Sequence, residues 1–478
     1  MITGSRFNSL LFAFYMFSRR KSSIVQVGKV AIGGDNPIRI QSMANTSTMD
    51  TASSVDQAKR IVDAGGEIVR FTTQGQREAL NMRNISDVLR IDGYDVPLVA
   101  DVHFTAHVAD TAATICEKVR INPGNYVDPR RKFRHIEYTD EEYAEELKRI
   151  EERFVPFLNI CKEHHTAIRI GVNHGSLSDR IMSRYGDTPE GIVESCMELH
   201  RICVKEQFPD VVISIKASNT VVMVKTVRLL VRCMDEEGMA FPLHLGVTEA
   251  GEGEDGRIKS AVGIGALLCE GIGDTIRVSL SEAPEKEIPV ARRLVELIPE
   301  CHDLREKAKA FIKEDTVILR LKDTKWEDVQ LKAAMSVGAL LIDGLAHNLV
   351  IENDNFSEDR LSDLADAILQ ATRVKFTKTE FISCPGCGRT LYNLEQTIAR
   401  IKAAVTEKSK TNPRFKTLKI GIMGCIVNGP GEMADADYGY VGAAAGKVSL
   451  YKGKQCVEKN IPESEAVERL IAIIEEES

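Results

Sequence analysis

The heptapeptide AIRIGVN (Ala167–Asn173) is a run of aliphatic and β-branched residues that ends in a polar residue. Runs of this length and composition predict buried β-strands. Seven similar runs lie between Ile38 and Ser281, and stretches with helical hydrophobic periodicity separate them. Eight strand–helix units over about 250 residues predict an α/β fold of the (β/α)8 TIM-barrel type, whereas a doubly wound open sheet rarely needs so many regular units. The other runs are IRIQSM (Ile38–Met43), IVRFT (Ile68–Thr72), PLVADVH (Pro97–His103), KVRIN (Lys118–Asn122), VVISIKAS (Val211–Ser218), PLHLGVTE (Pro242–Glu249) and TIRVSLS (Thr275–Ser281).

Positively charged residues lie at the ends of five of these eight runs. In a TIM barrel the C-terminal ends of the strands meet at one mouth, where active sites are found. A single cation there is often a solvated rim residue, but five at one mouth predict a site for a compact polyanion, most simply a diphosphate. Guanidinium groups bind phosphate oxygens in bidentate fashion, and lysine adds a point charge. The five residues are Arg70, Arg120, Arg169, Lys216 and Arg277.

Three cysteines near the C-terminus indicate a metal or redox site. Two of them, Cys384 and Cys387, form the C-x-x-C of ISCPGCGRTL (Ile382–Leu391), and Cys425 lies in GIMGCIVNGPGE (Gly421–Glu432). Structural zinc, a thioredoxin-like redox pair and an iron–sulfur cluster each use such residues. The thioredoxin-like interpretation leaves the third thiol without a role.

Both metal interpretations normally need a fourth ligand. Within residues 379–478 there is no histidine, and Cys456 is the remaining thiol. Glu432 follows Cys425 across an Asn-Gly-Pro-Gly segment, which favours a tight reversal of the chain. The spacing alone fits a carboxylate ligand and a turn-capping carboxylate equally well, and it leaves a solvent ligand open.

Composition and charge exclude several other classes of protein. A chain of 478 residues predicts two to four domains at roughly 100–200 residues each. The net charge of -8 argues against a general nucleic-acid binder, which usually presents a basic face. Eleven scattered cysteines in a large chain predict reduced thiols and a cytoplasmic location rather than a disulfide scaffold.

The N-terminus contains a short apolar run, LLFAFYMF (Leu10–Phe17), followed by basic residues. Eight residues are too few to span a bilayer, which takes about 20. A signal peptide has its charges before the apolar run, not after it. We therefore expect no membrane partner, and we interpret residues 1–15 as an upstream extension with Met16 as the start.

The pattern of predicted elements divides the chain into four segments. Residues 1–23 form an N-terminal extension, and residues 24–300 form the barrel, with an additional charged helix within Tyr126–His165. Residues 301–378 form an insert that is too short for a second barrel. Residues 379–478 form a small α+β module that contains the three cysteines.

Eight motifs give the chain a resemblance to a known family. They cover roughly residues 24–295 and 379–478, and together they resemble the 4-hydroxy-3-methylbut-2-en-1-yl diphosphate synthases, reductive enzymes late in the methylerythritol phosphate route to isoprenoids. The resemblance implies a TIM barrel and a C-terminal iron–sulfur domain similar to the modules of sulfite and nitrite reductases. The motifs are IQSM (Ile40–Met43), ADVHF (Ala100–Phe104), RINPGN (Arg120–Asn125), RIGVNHGSL (Arg169–Leu177), GVTEAG (Gly246–Gly251), IRVSLS (Ile276–Ser281), SCPGCGRT (Ser383–Thr390) and GCIVNGPGE (Gly424–Glu432).

The resemblance also implies a cofactor and a reaction. It implies a [4Fe–4S] cluster held by Cys384, Cys387, Cys425 and Glu432, with one iron accessible to substrate. The substrate would be 2-C-methyl-D-erythritol 2,4-cyclodiphosphate, whose ring is opened with two electrons and loss of water. Ferredoxin or flavodoxin would deliver the electrons.

The family pattern further implies roles for individual residues. Glu249 resembles the family's catalytic carboxylate, although it could instead neutralise neighbouring cations. Asn428 matches a residue that faces substrate, and Asp101 and His103 are expected to shape the pocket. The residues expected to bind the diphosphate are Arg70, Arg120, Arg169, Lys216, Arg277 and Ser279, with Asn173 nearby.

The insert departs from the family pattern. The compact form of the family joins the two domains almost directly and closes the cluster domain over the barrel of a partner subunit, whereas the long form has a complete extra domain and closes within one chain. Residues 301–378 are intermediate in length, so a homodimer stays open. Two other functions also stay open: a redox-silent barrel with a structural zinc module, and a non-enzymatic iron sensor.

Overall fold

A small hairpin closes the bottom of the barrel. The computed structural model describes residues 18–128, 137–427, 429–433 and 435–476, so most of the predicted N-terminal extension lies outside the described residues. The hairpin consists of β1 (Val25–Val27) and β2 (Val30–Ile32), which pair antiparallel. Its buried valine and isoleucine side chains pack against the first residues of four barrel strands. The sequence analysis missed this hairpin because three-residue strands are too short to show a period.

Eight parallel strands form the predicted TIM barrel. Each strand pairs with the next along the chain from the first to the sixth, and the eighth pairs with the first and the seventh. A parallel bridge between Ile213 and Leu243 joins the sixth strand to the segment of the seventh and completes the ring. The strands are β3 (Arg39–Met43), β4 (Ile68–Thr73), β5 (Leu98–Val102), β6 (Lys118–Ile121), β7 (Ala167–Asn173), β8 (Val211–Lys216), β9 (His244–Leu245) and β10 (Thr275–Ile276).

The last two strands are shorter than the sequence predicted. The runs Pro242–Glu249 and Thr275–Ser281 each keep only two residues in the sheet. After β9 the chain passes close to its neighbours at Gly246, where a Cβ atom would lie 2.7 Å from Lys216 Nζ and 2.8 Å from the Arg277 carbonyl oxygen. Beyond Leu245 the chain is no longer paired in the sheet, and the following residues Thr248 and Glu249 line the cavity at the barrel mouth.

Helices surround the barrel and connect its strands. Most begin at a side-chain cap, as at Asp50, whose carboxylate accepts a hydrogen bond from the Ser53 backbone. The additional charged helix is present as a 25-residue helix with a capping box at Thr139 and Glu142. The helices are α1 (Thr51–Asp63), α2 (Gln76–Ile91), α3 (Ala106–Ala113), α4 (Pro123–Tyr126), α5 (Asp140–His164), α6 (Asp179–Tyr185), α7 (Pro189–Lys205), α8 (Thr220–Glu236), α9 (Gly253–Leu268) and α10 (Glu287–Ala310).

The insert is a compact unit that packs on the barrel. Its strands β11 (Thr316–Arg320) and β12 (Asn348–Glu352) pair parallel across the crossover helix α11 (Trp326–Ile342), and α12 (Glu358–Ala371) follows. Every residue of α11 from Val329 onward is buried. This helix lies against α9, where Gly265 allows Met335 to approach closely.

The C-terminal module contains a five-stranded mixed sheet. Its first three strands are parallel, and the last two continue the sheet antiparallel. No helix in the described part of the chain is long and apolar enough to cross a membrane. The elements are β13 (Glu380–Ser383), α13 (Leu394–Ser409), β14 (Lys419–Met423), α14 (Gly429–Glu432), β15 (Tyr438–Ala444), β16 (Lys447–Lys452), β17 (Gln455–Pro462) and α15 (Glu463–Glu475).

The hairpin contact should contribute measurably to the stability of the barrel. Ile32 is fully buried in it, so Ile32→Ala should lower the free energy of unfolding by about 2–5 kcal/mol. The control is Ile91→Ala on α2, where the side chain is 82% exposed and the change should stay within about 0.5 kcal/mol. Urea denaturation followed by circular dichroism measures both. Equal midpoints for the two variants would contradict a structural role for the hairpin.

Candidate active site

One cavity separates the barrel mouth from the C-terminal module. Its empty space, part of which is open to solvent, amounts to about 760 Å³, and it is lined from both sides. The barrel contributes all five predicted cations, and the module contributes all three predicted thiols. The sequence-predicted residues that line it are Arg70, Asp101, His103, Arg120, Arg169, Asn173, Lys216, Glu249, Arg277, Ser279, Cys384, Cys387 and Cys425.

Carboxylates fix the direction of two of the five cations. Arg277 donates to both oxygens of buried Glu287, from Nε at 3.0 Å and from Nη2 at 2.9 Å. Arg120 donates from Nη1 to Asp101 at 3.0 Å and to the Nε2 atom of His103 at 2.6 Å. The two-pronged contact of Arg277 orients its guanidinium plane as well as its charge, whereas Nη1 of Arg120 is held by a carboxylate and an imidazole.

The other three cations form no ion pair with a carboxylate of the described chain. Arg70 contacts the Met43 sulfur, a weak acceptor, and two nitrogens of Arg169 have no hydrogen-bond partner among the described residues. Burial lowers the pKa of Arg70 to about 10, and burial together with the neighbouring cations holds the pKa of Lys216 well below its ordinary range. Uncompensated buried charge is costly, so this side of the cavity is built for an anion.

The three thiols come together because their loops leave adjacent parallel strands. β13 and β14 pair with Ser383 opposite Ile422, so the loops that carry Cys384 and Cys425 begin side by side. The Gly424 backbone N–H donates to the Cys384 sulfur at 3.2 Å. The intervening Gly386 has a φ of +75°, a conformation that side chains rarely tolerate.

The spacing of the thiols bears on the choice between zinc and a cluster. Structural zinc needs four ligands converging on one ion. The residues that the structure describes contain no group of three His, Cys, Asp or Glu side chains that could hold a single metal ion. In a four-iron cluster each thiolate binds a different iron, so the ligands are spaced more widely. The three thiols line one cavity together with the cations of the barrel mouth.

The predicted carboxylates and amide are only partly described. Glu249 is buried at the cavity wall, and its backbone φ of +48° is a strained conformation of the kind that occurs at functional sites. Glu432 ends α14, but its side chain lies outside the described part of the structure. Asn428 lies outside the described residues altogether.

One functional candidate, Arg389, and one buried cation, Lys118, escaped the sequence analysis. Arg389 lines the cavity from the module side and forms an ion pair with Asp101 of the barrel. The sequence could have indicated Arg389, because this residue follows the second cysteine of the motif SCPGCGRT. Lys118 is fully buried inside the barrel, and its Nζ atom has no hydrogen-bond partner among the described residues. No feature of the sequence marked Lys118, because it is the first residue of a strand with an ordinary pattern.

The module covers the barrel of its own chain. The Ser281 hydroxyl lies 3.0 Å from the Ser383 hydroxyl and donates to the Cys384 carbonyl oxygen at 2.9 Å. Buried Lys259 pairs with Glu380 at 2.9 Å. On the opposite rim, the backbones of Gly175 and Gly431 are so close that neither position has room for a Cβ atom.

The burial of Lys118 predicts how the free energy of unfolding depends on pH. Burial and the charges of Arg169 and Arg70 hold the pKa of Lys118 well below its ordinary range. In the pH window between this lowered pKa and the ordinary lysine pKa of about 10.4, the unfolded chain binds more protons here than the folded chain, so stability rises with pH across that window. Lys118→Met should remove up to about 1.4 kcal/mol per pH unit of this dependence and should stabilise the protein at pH 7.

Urea denaturation at several pH values between 7 and 9 measures this effect. The control is Lys148→Met on α5, whose side chain is 76% exposed and which should keep the wild-type dependence. Parallel curves for Lys118→Met and the wild type would show that Lys118 is protonated in the folded protein.

Two family models and several named proteins match this chain. Residues 22–292 match the model of the GcpE TIM-barrel domain, and residues 380–476 match that of the GcpE protein C-terminal domain. The 4-hydroxy-3-methylbut-2-en-1-yl diphosphate synthase (flavodoxin) of Phocaeicola vulgatus is 52% identical over an alignment of 609 residues that covers 96% of this chain and 98% of that protein. The protein of the same name from Akkermansia muciniphila is 42% identical and covers 97% of each chain.

The alignment with the Phocaeicola vulgatus protein is longer than this chain. Its length of 609 residues exceeds the 478 residues of this chain by 131, so the Phocaeicola vulgatus protein has at least that many residues without a counterpart here. Matches to both domain models and near full-length identity of this level show that the chain belongs to the GcpE family of 4-hydroxy-3-methylbut-2-en-1-yl diphosphate synthases.

Proposed function

We propose that this chain reduces 2-C-methyl-D-erythritol 2,4-cyclodiphosphate to 4-hydroxy-3-methylbut-2-en-1-yl diphosphate, in the synthesis of isoprenoid precursors. The observation that carries the proposal is a single cavity that brings the cationic barrel mouth and three thiols of another domain together. A diphosphate explains the cations, and a redox cofactor explains the thiols. Neither half of the site alone accounts for this reaction.

The barrel side of the cavity binds the diphosphate. Arg70, Arg169 and Lys216 have no carboxylate partner in the described chain, so phosphate oxygens relieve their mutual repulsion. The carboxylate-oriented forks of Arg120 and Arg277 add direction. Ser279 and Asn173 line the same cavity and supply neutral hydrogen-bonding groups.

The module side holds a [4Fe–4S] cluster on Cys384, Cys387, Cys425 and Glu432. Burial raises the pKa of the Cys384 thiol, so a bound metal is what favours its thiolate form. The Gly424 amide stabilises that thiolate with a hydrogen bond. When bound, the cluster supplies electrons one at a time and a Lewis-acidic iron.

The carboxylate of Glu249 is the proton-transfer group. It is 5% exposed and lines the same cavity as the cations and the thiols. A bridge between Ala250 and Ser383 of the module holds the segment beside it in place. Two electrons open the substrate ring by breaking a carbon–oxygen bond, and a hydroxyl leaves as water after it has received a proton.

The electron donor is flavodoxin, which the names of the close relatives contain, with ferredoxin as the alternative. The protein acts in the cytoplasm. It works within one chain, because the module already covers the barrel of the same chain through the contacts of Ser281 and Lys259. A homodimer is not needed to complete the cavity.

An anaerobic assay tests the function. The protein is reconstituted with iron and sulfide, reduced methyl viologen is supplied, and the cyclodiphosphate is added. Substrate-dependent dye oxidation with formation of the linear diphosphate is expected. A protein that assembles its cluster but yields no such product would contradict the proposal and favour a role in sensing. A colourless protein that binds zinc would favour the redox-silent alternative.

The diphosphate site makes a kinetic prediction. Arg277→Ala removes one oriented fork and leaves Glu287 buried without its cation, so it should raise KM at least tenfold. The control is Arg293→Ala, which removes a partly exposed arginine paired with Asp328 on the outer surface. Steady-state kinetics in the viologen assay measures both variants. An unchanged KM for Arg277→Ala would exclude its role in diphosphate binding.

The carboxylate ligand makes a separate prediction. Glu432→Ala should retain part of the iron and sulfide, because three thiolates still hold the cluster, but it should lower kcat at least tenfold. Iron analysis and the absorption spectrum report on assembly, and the viologen assay reports on turnover. Wild-type activity in this variant would remove Glu432 from the ligand set.

A further inference from the structure

The short helix α14 of the module lies against a turn of the barrel. This turn, His174–Ser176, directly follows β7. Gly175 of the turn meets Gly431 of α14, and because neither residue has a side chain, the contact joins the two backbones. A Cβ atom at either position would overlap the other backbone. The contact therefore depends on glycine at both positions.

The barrel holds the His174–Ser176 turn in place. Asn122, which follows β6 and is fully buried, donates from Nδ2 to the Ser176 hydroxyl at 2.8 Å. That hydroxyl donates in turn to the Asn173 carbonyl oxygen at 3.0 Å. At the other end of the turn, the Nε2 atom of His174 lies 3.0 Å from the Asp187 carboxylate. The turn is therefore fixed at both of its ends.

The module holds α14 from the opposite side through Met433. This side chain is 1% exposed and packs in the module core over Gly421 and Gly439, which are paired on β14 and β15. Glu432 lies between Gly431 and Met433 in sequence. Its backbone is therefore fixed by the barrel on one side and by the module core on the other.

The loops that carry the other candidate ligands contact the barrel elsewhere. Ser281 donates to the Cys384 carbonyl oxygen beside the first thiol, and Gly388 approaches the Thr46 carbonyl oxygen beside the second. A change at Gly175 leaves both of these contacts in place. The contact of α14 can therefore be broken without separating the whole module from the barrel.

We propose that the His174–Ser176 turn is a positioning element that holds α14, and with it Glu432, at the cavity. Gly429, the first residue of α14, lines this cavity. The inference rests on the proposed function, in which Glu432 is a cluster ligand. The three thiols belong to the module alone, whereas the placement of the carboxylate segment is shared between module and barrel. Docking of the module therefore completes the arrangement of the site.

The first experiment measures α14 directly and needs no turnover. In hydrogen–deuterium exchange of the full-length protein, the reporters are the backbone N–H groups of Met433 and Ala436, which are hydrogen-bonded within α14 and the turn after it. Gly175→Ala should make both amides exchange at least about tenfold faster, because α14 loses its contact with the barrel. The Cys384 amide, which is hydrogen-bonded to β14, should keep its wild-type rate.

The matched control is Gly75→Ala, in the loop that follows β4 at the same barrel mouth. The φ angle of Gly175 is not in the left-handed range, so alanine fits its backbone and the change tests the contact. Gly75 has a φ of −146°, and a Cβ atom there would meet only the flexible end of Glu78, at 3.1 Å. Gly75→Ala should leave the exchange of Met433 unchanged. Equal rates at Met433 in Gly175→Ala and Gly75→Ala would overturn the proposal.

Gly431→Ala tests the same contact from the module side. Alanine is more favourable than glycine in a helix by about 1 kcal/mol, so helix propensity alone predicts slower exchange in α14. The proposal predicts faster exchange, because the added Cβ atom would overlap the Gly175 carbonyl group. Slower exchange of the Met433 amide in this variant would contradict it.

The second experiment asks whether the turn acts through Glu432. In the viologen assay, Gly175→Ala should lower kcat at least about tenfold and change KM less than about twofold, because the barrel cations are untouched. The double variant Gly175→Ala/Glu432→Ala should be no slower than Glu432→Ala alone, because two changes to one element are not additive. A wild-type kcat in Gly175→Ala, or multiplied losses in the double variant, would overturn the positioning of Glu432.

The two experiments separate this inference from the proposed function. If the wild-type protein does not turn over the cyclodiphosphate, the proposed function fails. The exchange rates of Met433 and Ala436 still decide whether the turn holds α14.

Discussion

Five like charges in a buried barrel mouth are the constraint on which the rest of the site depends. Cations at this depth repel one another and lose the hydration that water provides. The chain compensates only part of this cost, because carboxylates orient Arg120 and Arg277 while Arg70, Arg169 and Lys216 have no such partner in the described residues. Under the proposed function, this uncompensated repulsion is relieved when a diphosphate binds.

The same electrostatics explain how the two domains meet. Asp101 carries one of the few negative charges at the mouth, and it is shared by Arg120 from the barrel and Arg389 from the module. A module that brought only thiolates would add negative charge without direction. By bringing Arg389 as well, it docks on a specific carboxylate, and Cys387 lines the same cavity as the barrel cations.

The sequence predicted those parts of the structure that depend on local pattern. β7 follows its hydrophobic run over the whole predicted range, and the strand ends placed all five cations at one cavity because parallel strands of a barrel share a mouth. What the sequence could not predict depends on packing between distant segments. The hairpin β1–β2 has too few residues to show a period, and the pair Arg389–Asp101 exists only after two domains dock. Lys118 was missed because its burial is decided by the barrel interior and not by its own strand.

The short insert is sufficient to hold the module over its own barrel. Its helix α11 is buried against α9, which fixes the insert to the barrel, and α12 fixes the linker that follows. Near the end of α12, the side-chain oxygen of Gln370 accepts hydrogen bonds from the backbone N–H groups of Thr377 and Lys378. The side-chain nitrogen of Gln370 donates a hydrogen bond to the Lys378 carbonyl oxygen at 3.0 Å. Arg373 and Lys259 then both pair with Glu380, the first residue of β13. A continuous path of packed helices and ion pairs therefore leads from the barrel to the strand that carries Cys384, so the geometry of the cavity depends on two helices and a clamped linker and not on a complete additional domain.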